Sequence, residues 1–284
     1  MIIKKDMNWL EKKVPDIRET LKKYSTVFDY YGGYLCGGFL RRAVIEGSSE
    51  AILNQIRTGK KADVDFFFSN QGDALNAARH FWSESHGKDG LLPSGIDPRN
   101  KSKYKVPVGE SIKGFAYELI SWGVKHQFIK GFVGETPEKI LNKFDLVNSM
   151  IATNGKHVYV HEDWEKYEEN KKLCIVNYSP YTFSRALKYS YIGPEQNRYE
   201  LDEKCREQFF DNAIKFLFEY KKLEKEQEKL KYSMSLDFGP LGNIQRDIRN
   251  VLANKEFLSL RDIPFFMNLL GNVTHDYNFM NYRF

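Results

Sequence analysis

The part of this 284-residue sequence best suited to chemistry is a pair of carboxylates one residue apart, Asp63-Val64-Asp65. They sit in a short aromatic run, Ala62 to Phe68, preceded by the turn Gly59-Lys60-Lys61, which reads as a buried strand. Side chains on a strand alternate between faces, so Val64 is expected to face the core while Asp63 and Asp65 project together. Two like charges so placed repel each other unless a cation lies between them. Mg2+ takes hard oxygen ligands and keeps positions open for substrate phosphates, so the pair suits it. The plainer reading is a solvated edge strand with two surface carboxylates, which Phe66, Phe67 and Phe68 disfavour.

Two more features stand in line with that pair. Gly37-Gly38 closes a glycine-punctuated strand, Tyr30 to Gly38, and opens onto a helix read over Phe39 to Glu46. Missing Cβ atoms let a phosphate approach the backbone, and the N–H groups of a helix start favour negative charge. A Gly-Gly pair is more often an ordinary turn. Arg41, one helical turn in, is placed to give a phosphate a bidentate contact, the alternative being a solvated surface arginine. The third feature is Asp145, in Phe144-Asp145-Leu146-Val147-Asn148, read as the start of an apolar strand running to Thr153. By itself it would cap a turn.

The elements that must hold these residues are legible in outline. Leu10, Val14, Ile17, Leu21 and Tyr24 follow the rhythm of one helical face, with the helix expected to begin at Pro15. Ala51 to Ile56 and Asp73 to Trp82 read as helices, Phe115 to Ile120 and Val124 to Phe132 as strands. Thr136 is the predicted N-cap of a helix over Pro137 to Lys143, and Asn154-Gly155 the turn before a strand over His157 to His161. Residues 86–113, with Lys88, Arg99, Lys101, Lys103 and Lys105, read as a long basic loop. After Ser179 the strand signals fade, and a long helix is expected from Leu201 to Tyr232 with eight basic and eight acidic residues. The predicted fold class is therefore α+β, a mixed sheet flanked by helices over residues 1–175, then an all-α domain over 176–284.

In this order and spacing, Gly37-Gly38, Asp63/Asp65 and Asp145 resemble the signature of the nucleotidyltransferase superfamily that includes DNA polymerase β, poly(A) polymerases and CCA-adding enzymes. Cys36-Gly37-Gly38-Phe39-Leu40-Arg41 is similar to the Gly-Gly-x-Val-Arg-Asp segment of the poly(A)/CCA head domain. Arg42 stands where that segment has an acidic residue, and 24 residues, 39 through 62, separate Gly38 from Asp63. Gln127-Phe128-Ile129, Phe144 to Met150, Ser179-Pro180, Arg185 and Lys188-Tyr189 look like phage-encoded members.

The resemblance implies a Mg2+-dependent transfer of an NMP from an NTP, ATP or CTP, to an acceptor hydroxyl. It implies Asp63, Asp65 and Asp145 as catalytic metal ligands, and Gly37, Gly38 and Arg41 at the nucleotide. Arg185 and Lys188, three apart on one helix face, are expected to receive phosphate or nucleic acid. The implied acceptor is an RNA 3′ end such as tRNA, with a protein side chain as another. Two further readings stand beside it: a silent scaffold that binds a host or viral partner, and a toxin-like transferase acting on tRNA or protein.

Composition narrows the classes without choosing among them. Hydrophobic residues make up 42% and charged residues 29%, an ordinary globular balance that excludes a disordered chain. The 43 basic and 38 acidic residues leave a net charge of +5, which permits an anionic partner but names none. No apolar run approaches the roughly 20 residues of a membrane span, and no secretory signal is visible. Three scattered cysteines fit a reducing cytoplasm, the host's if the gene is a phage's. No P-loop, H-E-x-x-H or C-x-x-C motif occurs.

Overall fold

Asp6 ends a strand and starts a helix at once. Its carboxylate accepts the Trp9 N–H at 3.0 Å, capping α1 (Met7–Lys13) where β1 (Ile2–Asp6) stops. The strand had no clear signal in Ile2-Ile3-Lys4-Lys5; it forms by pairing antiparallel with β8 (His157–His161). Pro15 separates helices instead of opening one. Val14, restrained by the following proline, leaves helical geometry at φ −137° and ψ 84°, and α2 (Ile17–Lys22) begins afresh, followed by α3 (Ser25–Asp29). The expected apolar face survives the break: Leu10, Val14, Ile17, Leu21 and Tyr24 are all buried.

The structure is a computed structural model and describes residues 1–58, 63–85, 109–110, 116–130 and 133–178, with 182, 185, 186, 189, 190, 198–206, 208 and 209. The long helix beyond 209, most of the 86–113 loop and Lys188 lie outside the described residues. The chain divides into two compact units, one of Met1–Phe144 with Asn148–Trp164, the other of Asp145–Val147 with Glu165–Phe284.

The first unit holds an eight-stranded mixed sheet in the order β1-β8-β7-β2-β3-β6-β5-β4. Its remaining strands are β2 (Tyr34–Cys36), β3 (Val64–Phe67), β4 (Gly109–Glu110), β5 (Ala116–Ser121), β6 (Val124–Ile129) and β7 (Ile151–Thr153). Strands β3 and β6 run parallel, and the other neighbouring pairs are antiparallel. Leu35, Val64, Phe66, Leu119, Phe128, Ile151 and Val158 build one face into the main core. Helices α1–α3, α4 (Gly38–Glu46), α5 (Ser49–Arg57) and α6 (Gln71–Ser85) contribute to the same core. On the other face Cys36, Phe67, Ala152 and Tyr159 pack with Ile140 and Leu141 of α7 (Pro137–Leu141). Thr136 caps α7 as its sequence predicts, its hydroxyl accepting the Lys139 N–H at 3.3 Å.

The long interval between Gly38 and Asp63 is accounted for by the pair α4 and α5. Asp16 ties that pair to α2. Its carboxylate accepts the Ser49 and Glu50 N–H groups at 2.8 and 2.9 Å and the Ser48 and Ser49 hydroxyls at 2.8 and 2.9 Å. Burial works to raise the Asp16 carboxyl, but these hydrogen bonds outweigh it and hold it below its ordinary value. Its stabilisation is therefore complete above the usual aspartate range and is lost as pH falls through the lowered folded-state value. Asp16→Ala, which leaves two helix-start N–H groups uncapped, is expected to cost about 1–2 kcal/mol in chemical denaturation at pH 7. The gap from wild type should narrow in acid.

One predicted strand is largely absent. Phe144 to Met150 was expected to run straight into β7, but residues Val147–Ser149 form a 3-10 turn and only Ile151–Thr153 pairs. In the second unit Leu146 bridges to Ile175, and the Asp145 carbonyl takes the Val176 N–H at 2.9 Å. A short apolar run buried in this way has the composition of a strand without its ladder. That unit also carries β9 (Lys172–Leu173) parallel to β10 (Glu200–Leu201), and α8 (Trp164–Glu169) starts at the junction.

Candidate active site: a carboxylate rung beside a glycine turn

Period-two alternation places Val64 and Phe66 in the core and leaves Asp63 and Asp65 on the opposite side, as the sequence predicts. The sheet register then shows what lies next to them. Cys36, Asp65, Gln127 and Glu118 are paired in succession across β2, β3, β6 and β5, so they form one rung on one face. Gln127 Nε2 donates to Glu118 Oε1 at 2.6 Å. Lys125, two residues back on β6, brings its ammonium within 3.0 Å of Glu118 Oε1 and 3.9 Å of Asp63 Oδ1.

Charge leaves its mark on this rung. Burial alone would lower the Lys125 ammonium, but the Glu118 hydrogen bond and the charges of Asp63, Glu118 and Asp65 outweigh it and hold it above its ordinary value. Burial, with the Asp65 carboxylate adding to it, pushes the Cys36 thiol well up, so it stays protonated. Glu118 and Lys125 were not singled out from the sequence. Each is a charge on an alternating strand, and only the register discloses that they share a face with Asp63 and Asp65.

The Gly37-Gly38 turn lies at the same end of the sheet's central strands as Asp63. Because Cys36 pairs with Asp65 antiparallel, the chain leaves β2 toward the Asp63 end of β3. Gly37 adopts φ 74° and ψ −129°, a conformation open essentially to glycine, and is the N-cap of α4 with no side chain to cap it. Its own N–H donates to the Ile151 carbonyl at 2.9 Å, so any anion meets the first turn of α4 and not Gly37 itself. Arg42 Nε donates to the Gly38 carbonyl at 3.3 Å, which sets its guanidinium beside the turn. Arg41 is buried at 3% exposure. The donor set fits a hard divalent cation: carboxylate oxygens on and immediately before β3, at one end of that strand, beside an uncapped helix start. Among the described residues no group of three or more His, Cys, Asp or Glu side chains is gathered as a metal site.

Asp145 belongs to the second unit and has an arrangement of its own. It is 4% exposed, with Oδ1 accepting Arg185 Nη1 at 2.6 Å and Oδ2 accepting the Thr182 hydroxyl at 3.0 Å. The Arg185 side chain is 51% exposed, so one part of it is anchored and another meets solvent. Arg185→Met strips the charged donor from a buried carboxylate. It is expected to lower stability by about 1.5–3 kcal/mol in urea titration, the worth of a hydrogen bond to a charged group.

A sequence model of the family described as "Gad2: Gabija anti-defense 2 family protein" matches residues 5–169, more than half of the chain. The chain belongs to the Gabija anti-defense 2 family. The match takes in the glycine turn, Asp63, Asp65, Glu118, Lys125 and Asp145. No curated protein matches this family member.

Solved structures resemble it in fold. A tRNA-processing enzyme in apo form I gives a TM-score of 0.53 at 13% identity, covering 95% of this chain and 60% of that one. The Thermotoga maritima CCA-adding enzyme complexed with tRNA gives 0.53 at 13% identity, covering 96% and 56%. A CCA-adding enzyme complexed with CTP gives 0.51 at 14% identity, covering 96% and 57%. At such identity the likeness establishes the fold alone, a large mixed sheet flanked by helices like that of the CCA-adding enzymes. This Gabija anti-defense 2 family member spans about 60% or less of the length of those enzymes. No helix among its described residues is long and apolar enough to cross a membrane.

Proposed function

We propose that this protein transfers an NMP from an NTP, ATP or CTP, to an acceptor hydroxyl with the help of Mg2+. The single observation that carries the reading is the Cys36–Asp65 register, which sets the Asp63/Asp65 pair and the Gly37-Gly38 turn at the same end of two adjacent central strands. Asp63 and Asp65 hold the cation, and Asp145 is proposed as a third carboxylate that Arg185 and Thr182 keep ordered. A bound divalent ion supplies Lewis-acid stabilisation of charge on the phosphoryl oxygens and lowers the pKa of the attacking hydroxyl.

The chain's own groups orient the substrate. Gly37 keeps side chains out of the approach, and the first turn of α4 points its N–H groups at the triphosphate. Arg42, beside Gly38, adds a cation at the phosphates, with Arg41 supporting from inside α4, and Arg185 and Lys188 are proposed to receive phosphate or nucleic acid. The proposed acceptor is an RNA 3′ end, tRNA foremost, because solved relatives in fold are tRNA-processing and CCA-adding enzymes. The setting is the cytoplasm of a phage-infected host.

The test offers α-labelled NTPs with Mg2+ to wild type and to the Asp63→Ala, Asp65→Ala double variant, with tRNA and with host protein as acceptors. Label in RNA that needs both aspartates supports the reading, and equal labelling by the two proteins sinks it. A second reading is favoured by the family description: the scaffold disables the Gabija defence by binding a component of it. Relief of that defence by the double variant at wild-type level would support binding over catalysis.

A further inference from the structure

We propose that Lys125 is a resident counter-cation beside Asp63, Asp65 and Glu118: it offsets part of their charge while no divalent ion is bound, and withdraws onto Glu118 when one arrives. The inference rests on Asp63 and Asp65 being the metal-holding pair. Three carboxylates and one ammonium carry a formal charge of −3 + 1 = −2, which one divalent cation cancels.

The geometry supplies both positions of the handover. Lys125 Nζ already lies closer to Glu118, at 3.0 Å, than to Asp63, at 3.9 Å. Glu118 is fixed as the parking place by Gln127, which donates to its Oε1 at 2.6 Å from the neighbouring rung position. A compact ammonium on a flexible four-carbon stem moves between two carboxylates without disturbing the strand that carries it. Asp63 and the Lys125 side chain are each more than one-third exposed, so water and ions reach the cluster. Lys125 is thus a positioning residue: it keeps repelling carboxylates in place before the ion comes, and competes with it for Asp63.

Competition of this kind separates two quantities that a merely structural lysine would move together. In the full chain, Mn2+ affinity is read by electron paramagnetic resonance and metal-free stability by thermal melting. Lys125→Met is expected to bind Mn2+ about fivefold to tenfold more tightly, because a positive charge near the ion is gone. Its metal-free melting temperature should fall below wild type, with the difference closing at saturating Mn2+. Glu118→Gln, which removes the parking carboxylate, should bind Mn2+ more weakly and serves if Lys125→Met fails to fold.

Unchanged or weaker binding in Lys125→Met, or unchanged binding in Glu118→Gln, overturns the proposal. If Mn2+ binding is lost in Asp65→Asn yet indifferent to Lys125→Met, only the role of Lys125 falls. If wild type shows no saturable Mn2+ binding, or Asp65→Asn leaves it intact, the metal-holding pair falls with it.

Discussion

Asp65→Asn is expected to reduce NMP transfer by about a hundredfold or more while leaving the metal-free melting temperature unchanged or slightly raised. A bound divalent ion is worth several kcal/mol of transition-state charge stabilisation, and each 1.36 kcal/mol is a factor of ten in rate. Asparagine keeps the shape of the side chain on β3, and the register is set by backbone pairing to β2 and β6, so it has no reason to change. What disappears is one of the like charges facing Asp63, and in the absence of metal that is a relief. Activity falling while stability holds is the pattern of a ligand. A steep loss of stability with proportionate loss of activity would make Asp65 a structural residue. Label transfer at saturating NTP, paired with a melting curve on the same preparation, gives both readings.

Gly37→Ala is expected to damage the protein through its backbone, and Gly38→Ala is the control. Gly37 sits at φ 74° and ψ −129°, where an L side chain is strained by about 1–3 kcal/mol. A Cβ there would also stand 3.4 Å from the Phe144 ring. For a protein of this size that cost corresponds to a fall in melting temperature of about 2–12 °C. Transfer activity should fall further than the stability loss explains, because relaxing the strain turns the start of α4 away from Asp63 and Asp65. Gly38 has no positive φ, and a Cβ on it would meet only Arg42 Nη2 at an ordinary 3.7 Å. Gly38→Ala should therefore melt like wild type and show its effect in the KM for NTP. Equal destabilisation by the two substitutions would mean that close packing, not backbone geometry, dictates the turn.

The two glycines also show how far sequence reading reaches. A Gly-Gly pair between a strand and a helix says that a tight turn is needed. It does not say which glycine is strained, nor that the Gly37 N–H is spent on Ile151. Likewise the apolar rhythm from Leu10 to Tyr24 identified a buried face correctly, while Pro15 cut the helix in two. The β1 strand went unseen because its stability comes from β8, more than 150 residues away, and not from its own composition. Phe144 to Met150 misled in the opposite sense, being apolar enough for a strand but pairing only through the isolated bridge of Leu146 to Ile175 before a 3-10 turn interrupts it.

By itself the sequence determined the β3 alternation, the glycine turn and the α7 cap. All of these are local, set by side-chain period, backbone permissiveness and capping within a few residues. Tertiary structure alone decided that Glu118, Gln127 and Lys125 join Asp65 on one rung, because strand register depends on pairing between distant segments. It alone also decided that the Asp145 carboxylate is held by Thr182 and Arg185, 37 and 40 residues further on. A charged residue on a strand carries no mark of its neighbour across the sheet, and that neighbour determines whether the charge is merely solvated or part of a site.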